Sequence, residues 1–274
     1  MHNRSSFALA LIFTLLLALL LPAGLAQSAE PAATPRGDVL GVVLLHGKNG
    51  APDKHITELA EALRQAGYLV ATPEMPWSKR RGYDADFLAA LAEIDAAVRD
   101  LRALGAARVV VGGHSLGGNA ALAYAARFPG LAGVICLAAA HTPDLGRPRE
   151  VATESVARAK AMVAAGRGGE TGRFADINMG KPSDMVVSAQ TYLTYYDPEG
   201  AAAMPLSAAM IKTPLPILWV AGGRDPLSKP GPAHAFDHAP AHPQSRYVVV
   251  DADHLGTPRA AIPLALEWLR ALPR

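Results

Sequence analysis

Residues 108–118, Arg-Val-Val-Val-Gly-Gly-His-Ser-Leu-Gly-Gly, decide how this chain is read. Arg108 to Gly112 is a short apolar run with three valines in succession, which suits a strand buried on both faces. The stretch after it, LGGNAALAYAARF, predicts a helix from Leu116 to Phe128. Between the two lies Gly113-His114-Ser115-Leu116-Gly117, a G-x-S-x-G pattern. Small residues on both sides of the serine let a strand and a helix approach through a tight turn. The serine then stands at a helix N-terminus, where free N–H groups and the dipole favour negative charge. A bare five-residue match is weak evidence, but its placement between a β run and a helix makes it strong.

A serine hydroxyl is a poor nucleophile alone, so a base and an orienting carboxylate are needed. Downstream, the apolar run PILWVAG ends in Gly222-Gly223-Arg224-Asp225-Pro226, which puts Asp225 just past a strand's C-terminal end. The run RYVVV ends in Asp251-Ala252-Asp253-His254-Leu255-Gly256, which puts His254 in the following loop. Catalytic groups of an open parallel sheet collect at those ends.

The flanking sequence repeats the alternation. Strands are expected at Val39–Leu45, Tyr68–Ala71, Gly133–Ala139, Pro216–Ala221 and Arg246–Val250. Helices are expected at about 54–65, 85–104 (capped by Asp84), 232–237 and 259–272. Continuous apolar strands alternating with amphipathic helices indicate an α/β domain with a parallel sheet covered on both faces. Residues 141–210 break the pattern with a helix at 151–165, a Gly-rich stretch at 166–172 and a tyrosine cluster, Tyr192, Tyr195 and Tyr196. So long a segment is unlikely to be structureless, and it is read as a helical lid inserted after the fourth strand.

Composition agrees. Of 274 residues, 50% are hydrophobic and 18% charged, ample for a packed core and unlike a disordered chain. Lys plus Arg is 26 against 24 Asp plus Glu, so no global charge favours nucleic acid. Mean hydropathy is +0.16, and part of it comes from the N-terminus. Phe7 to Leu21, FALALIFTLLLALLL, follows Arg4 and is broken by Pro22 and Gly24. This layout reads as a secretory signal peptide over 1–26, cleaved after Ala26, with an uncleaved anchor as the alternative. Residues 27–38 form a Pro- and Ala-rich linker and 39–274 the domain. The expected compartment is the periplasm or the exterior. The lone cysteine, Cys136, sits mid-strand and reads as core.

At this point the sequence resembles the α/β-hydrolase family, over essentially everything from Val39 onward. The resemblance rests on Leu45-His46-Gly47, Gly-His-Ser-Leu-Gly-Gly (113–118), Gly223-Arg224-Asp225 and Asp253-His254, with Ser, Asp and His in the family's chain order. It implies a three-layer fold, with Ser115 as nucleophile, His254 as general base and then acid, and Asp225 fixing the imidazole tautomer. It also implies an oxyanion held by the backbone N–H of Leu116 and a second N–H, assigned to Lys48 with Asn49 as the alternative. No cofactor or metal is called for. The implied activity is cleavage of a small-molecule ester through an acyl-enzyme, with an amidase or a non-catalytic binding protein as rivals. Since residues 27–38 leave no room for the family's usual initial antiparallel pair, a mainly parallel sheet of about six strands is expected.

Several other residues invite roles. Asp144 follows the strand ending at Ala140 and competes with Asp225 for the acid. His234, His238 and His242 recur at four-residue spacing, but Pro240 and Pro243 interrupt that helix, so a solvated surface is expected. His46 is expected to support the oxyanion loop, and His114 to pack beside the nucleophile. Lys48, Lys79, Arg80 and Arg81, with Trp77, suggest a basic rim that attracts anions.

Overall fold

The computed structural model describes residues 38–273. The leader and the linker up to residue 37 lie outside the described residues, and no helix among those described is long and apolar enough to cross a membrane. Six strands form one sheet: β1 (Leu40–Leu45), β2 (Leu69–Ala71), β3 (Arg108–His114), β4 (Gly133–Leu137), β7 (Ile217–Gly222) and β8 (Arg246–Val250). Their order is β2-β1-β3-β4-β7-β8 and every neighbouring pair is parallel. The expected six-stranded parallel sheet is therefore present.

Period-two alternation along β1 shows why both faces are apolar. Val42 and Leu44 pack with Leu59 and Leu63 of α1 (Thr57–Gln65) and Trp268 of α8 (Ile262–Ala271). Val43 and Leu45 pack on the other face with Phe87 and Leu91 of α2 (Phe87–Ala103) and Leu122 of α3 (Leu116–Ala125). Helix α3 is buried nearly all round, which a surface helix never is. Cys136 is fully buried in β4, and burial pushes its thiol pKa up.

Three local readings need correction. Asp86, not Asp84, caps α2, its carboxylate accepting from Ala89 N–H at 2.7 Å. The helix expected at 232–237 is two short 3₁₀ turns, Pro232–His234 and Phe236–His238. The last helix is divided into α7 (Thr257–Ala260) and α8, with Pro263 in the first turn of α8.

The insertion between β4 and β7 comprises α4 (Gly146–Ala164), an antiparallel hairpin of β5 (Thr171–Asn178) and β6 (Lys181–Ser188), then α5 (Ala189–Tyr196) and α6 (Met204–Met210). The hairpin is a feature that the helical reading of this segment missed.

Strand order reverses between β1 and β3, and such a switch point opens a crevice at the carboxyl ends. The register pairs Leu45 with Gly113, so the loop after β1 meets the turn after β3 there.

Candidate active site

Strand β3 ends at His114 and α3 begins at Leu116, leaving Ser115 alone to make the turn. It does so at φ 55°, ψ −119°, a region that costs a non-glycine residue about 1–3 kcal/mol. Its surroundings hold it there: Ser115 N–H donates to Leu137 O at 2.9 Å, and its carbonyl accepts from Gly118 N–H at 3.0 Å. A side chain at Gly113 would sit 2.5 Å from the Gly117 carbonyl carbon, and one at Gly117 would sit 2.6 Å from Leu45 O. The glycines of the motif are thus required by contact between β1, β3 and α3.

Asp225 follows β7 and His254 follows β8, as the sequence implied. His254 Nδ1 lies 2.7 Å from Asp225 Oδ2. Since the carboxylate accepts, Nδ1 carries the proton and Nε2 is left as the basic nitrogen. Asp225 also accepts from Leu227 N–H at 2.8 Å and the Ser228 hydroxyl at 3.2 Å. Burial pushes its carboxyl up, but the His254 contact and these two donors outweigh it, and the carboxyl lies below the usual range. Ser115 and His254 line the same cleft, of about 630 Å³. Apo catalytic contacts are commonly looser than those in the reacting complex.

His114 is buried against the imidazole of His254, ring centroids 4.7 Å apart, and its Nε2 donates to His254 O at 2.9 Å. Burial, with the neighbouring His254, pushes its pKa down to about 3. His114 is therefore a neutral brace for the loop that carries His254. His46 is likewise buried. Its Nε2 accepts from Met75 N–H at 3.0 Å, so its proton is on Nδ1, which donates to Gly47 O at 2.8 Å. This is the loop support expected of it.

Asn49 N–H is committed to Trp77 O at 2.9 Å. Among the described residues Lys48 N–H has no such partner, and Lys48 and Leu116 both line the cleft. That favours Lys48 over Asn49 as the second donor of an oxyanion site.

The side chain of Lys48 is not at a rim. Both it and Asp176 of β5 are only 6% exposed, and they form a buried ion pair. The ammonium also donates to Ile177 O at 2.9 Å and Tyr196 Oη at 2.8 Å. Tyr196 Oη donates to Asp176 as well. The proposed basic rim fails in its other members too. Arg80 pairs with Glu74, and Arg81 with Asp84 and Glu93. Lys79 and Arg80 border a shallow groove with Glu74 that adjoins the cleft, sharing Gly50 and Lys54 with it. Trp77 is fully buried, its indole N–H donating to His46 O at 2.9 Å.

Asp144 pairs with His234, Nε2 to Oδ2 2.7 Å, and not with His254. His234 is thus tied to the start of the insertion and is not part of a solvated histidine face. Among the described residues no three His, Cys, Asp or Glu side chains are grouped to hold a metal.

Sequence reasoning missed Asp176 and the tip of the hairpin, Ile177 to Gly180, which forms one wall of the cleft. The available signal was alternation: Phe174 and Asp176 on β5, and Met185 and Val187 on β6, point inward.

Comparison with known proteins agrees with this fold. The model of the alpha/beta hydrolase family matches residues 42–262. Among solved structures, the chain is similar to an alpha/beta hydrolase from Penicillium sp. sh18, at TM-score 0.62 and 17% identity, covering 85% of this chain and 90% of that one. It is also similar to the monoacylglycerol lipase of Paleococcus ferrophilus, at TM-score 0.60 and 20% identity, with 83% and 94% covered. A metagenome-derived lipolytic enzyme gives TM-score 0.59 and 20% identity, with 86% and 93% covered. No curated protein matches the sequence.

Proposed function

This chain belongs to the alpha/beta hydrolase family, and from that premise we propose that it is a serine hydrolase that cleaves carboxylic esters through an acyl-enzyme on Ser115. The observation that carries the reading is the 2.7 Å pair of His254 Nδ1 and Asp225 Oδ2, set beside a serine strained at φ 55° in the same cleft. Ser115 Oγ attacks the carbonyl while His254 Nε2 takes its proton, and Asp225 stabilises the imidazolium that forms. The backbone N–H groups of Leu116 and Lys48 receive the oxyanion. His254 then returns the proton to the departing alcohol, and water repeats the sequence to release the acid. None of these steps uses a cofactor.

An ester is preferred to an amide as the substrate class. The lipolytic structures that the fold resembles are consistent with that choice, but only as analogy. The hairpin tip of the insertion serves as a wall for the acyl or alcohol group.

The leader is read as directing export, on the run Phe7–Leu21 and the small residues ending at Ala26. Treating the protein with a fluorophosphonate and weighing it intact tests both readings at once. One adduct on Ser115 is expected, on a chain beginning at Gln27, and none on Ser115→Ala. A protein that takes no adduct is a binding module on the same scaffold, and an adduct on another residue overturns the assignment. Retention of residues 1–26 overturns cleavage after Ala26 and leaves the uncleaved anchor, without touching the assignment of Ser115.

A further inference from the structure

The cleft beside Ser115 is lined by side chains of one charge only. Lys54, Arg147 and Lys229 border it, and no aspartate or glutamate does. Composition does not explain this, since basic and acidic residues are almost equal in number, 26 against 24. The three come from different places: Lys54 from the loop after β1, Arg147 from the first turn of α4, and Lys229 from the segment after β7. Each of these segments follows the carboxyl end of a strand, the edge at which Ser115 stands.

All three are exposed, and none takes part in any ion pair formed among the described residues. The fourth cation at the cleft, Lys48, is neutralised internally by Asp176. The carboxylates that lie close to these cations in sequence, Asp53, Asp144, Glu150 and Asp225, do not line the cleft. Asp53 lines the adjoining groove, which Lys54 also borders, while Asp144 pairs with His234, Asp225 holds His254, and Asp253 accepts from Gly256 N–H at 2.7 Å. Helix α4 begins at the cleft with no side-chain cap and no acidic residue in its first turn, so its positive end adds to the same field.

Between the cations the wall is apolar. Leu145, Met179 and Leu255 line the cleft, each 38–47% exposed. Large apolar side chains left in water around a nucleophile suit a hydrocarbon segment, and unpaired cations beside them suit an anion.

We propose that the substrates of this site are anionic amphiphilic esters: an apolar chain lies against Leu145, Met179 and Leu255, and a second acidic group is received by Lys54, Arg147 and Lys229. The proposal rests on the serine hydrolase reading above. A cleft with no carboxylate in its lining attracts the anion over a Debye length of about 8 Å at physiological salt, so the preference weakens as salt rises.

The test compares paired substrates. p-Nitrophenyl hemisuberate and p-nitrophenyl octanoate place or omit a charge on the acyl side. 4-(Butyryloxy)benzenesulfonate and 4-(methylsulfonyl)phenyl butyrate do the same on the alcohol side. The quantity read is the ratio of kcat/KM, anionic over neutral, which cancels losses common to both members of a pair. In at least one pair the wild-type ratio is expected to fall between 0.02 and 0.5 M NaCl. It should also fall about tenfold in the triple variant Lys54→Gln, Arg147→Gln, Lys229→Gln. Ratios that stay within twofold under both changes, in both pairs, overturn the proposal while leaving Ser115 chemistry intact. If no ester is turned over and no fluorophosphonate adduct forms, the serine hydrolase reading itself fails. The pair that responds identifies which end of the ester bears the acid.

Discussion

The buried pair of Lys48 and Asp176 joins the loop that carries a proposed oxyanion donor to a hairpin 128 residues further along the chain. Replacing Asp176 with Asn removes the negative charge and keeps the shape. The Lys48 ammonium then keeps two neutral acceptors, Ile177 O and Tyr196 Oη, in a site where each side chain was 6% exposed. Breaking a buried pair on one side typically costs about 3–5 kcal/mol, because a charge is stranded. The lysine can escape by losing its proton, which at pH 7 costs about 4.6 kcal/mol from an ordinary pKa near 10.4 and so caps the penalty. For a domain of this size each kcal/mol lowers Tm by roughly 2–4 °C. Asp176→Asn should therefore melt roughly 6–18 °C below the wild type at pH 7. Replacing both partners, Lys48→Met with Asp176→Leu, removes the stranded charge and should recover most of the loss.

The sign of the pH dependence separates this account from simple loss of packing. Burial already lowers the Lys48 pKa, and Asp176 is the group that raises it. In Asp176→Asn the folded protein favours neutral Lys48, whereas the unfolded chain stays protonated up to about pH 10. The unfolded state then binds more protons, so stability of the variant relative to wild type rises between pH 7 and pH 10. Thermal melts followed by circular dichroism at pH 7, 8.5 and 9.5 read both effects. The reasoning is refuted if Asp176→Asn melts within 2 °C of wild type at pH 7. It is equally refuted if the double variant is no more stable than the single one.

Two other outcomes follow from the geometry. Ser115→Gly should abolish hydrolysis yet melt a few degrees above Ser115→Ala, because glycine adopts φ 55°, ψ −119° without the roughly 1–3 kcal/mol that a side chain costs there. A Gly variant that melts below the Ala variant refutes the strain argument. Burial holds His114 neutral in the folded state, and likewise His141, which follows β4 and donates from Nε2 to Tyr195 O at 2.7 Å, with pKa values pushed down to about 3 and about 4, against roughly 6.5 when unfolded. The unfolded chain takes up these protons first. Their contribution is therefore complete above about pH 6.5 and is lost as pH falls toward 4, by up to about 1.4 kcal/mol per pH unit for each histidine. The urea midpoint should drop between pH 7 and pH 5, and an unchanged midpoint contradicts the assignment.

The sheet was legible because buried parallel strands are written as continuous apolar runs, most of them bounded by Gly or Pro within a few residues. The segment after β7 was not, because its histidine spacing resembles a helix while Gly231 at φ 67° and its prolines favour isolated 3₁₀ turns. The β5–β6 hairpin was hidden for a different reason. Its turn, Met179 at φ 49° and Gly180 at φ 75°, needs positive φ at both centres, for which Asn-Gly or Asp-Gly is the usual signature. Its inward face also carries a charge, Asp176, where a hydrophobic pattern search expects an apolar residue.

The same charge explains why the basic rim was assigned to the wrong residues. A lysine in a loop beside a predicted nucleophile is, by sequence, a surface cation, and only tertiary contact reveals that Lys48 is neutralised by a carboxylate from the insertion. Arg80 and Arg81 were misread by shorter range, since Glu74, Asp84 and Glu93 lie within a few turns of chain. Loop position alone therefore does not make a cation available to a substrate; lack of a partner does. By that criterion Lys54, Arg147 and Lys229 are the cations left free at the cleft, and they are distributed over three segments that no contiguous motif could have grouped. A site read from spacing recovers residues that act through one local turn, such as Ser115. A binding field summed from separate strand ends becomes visible only once the sheet has brought those ends together.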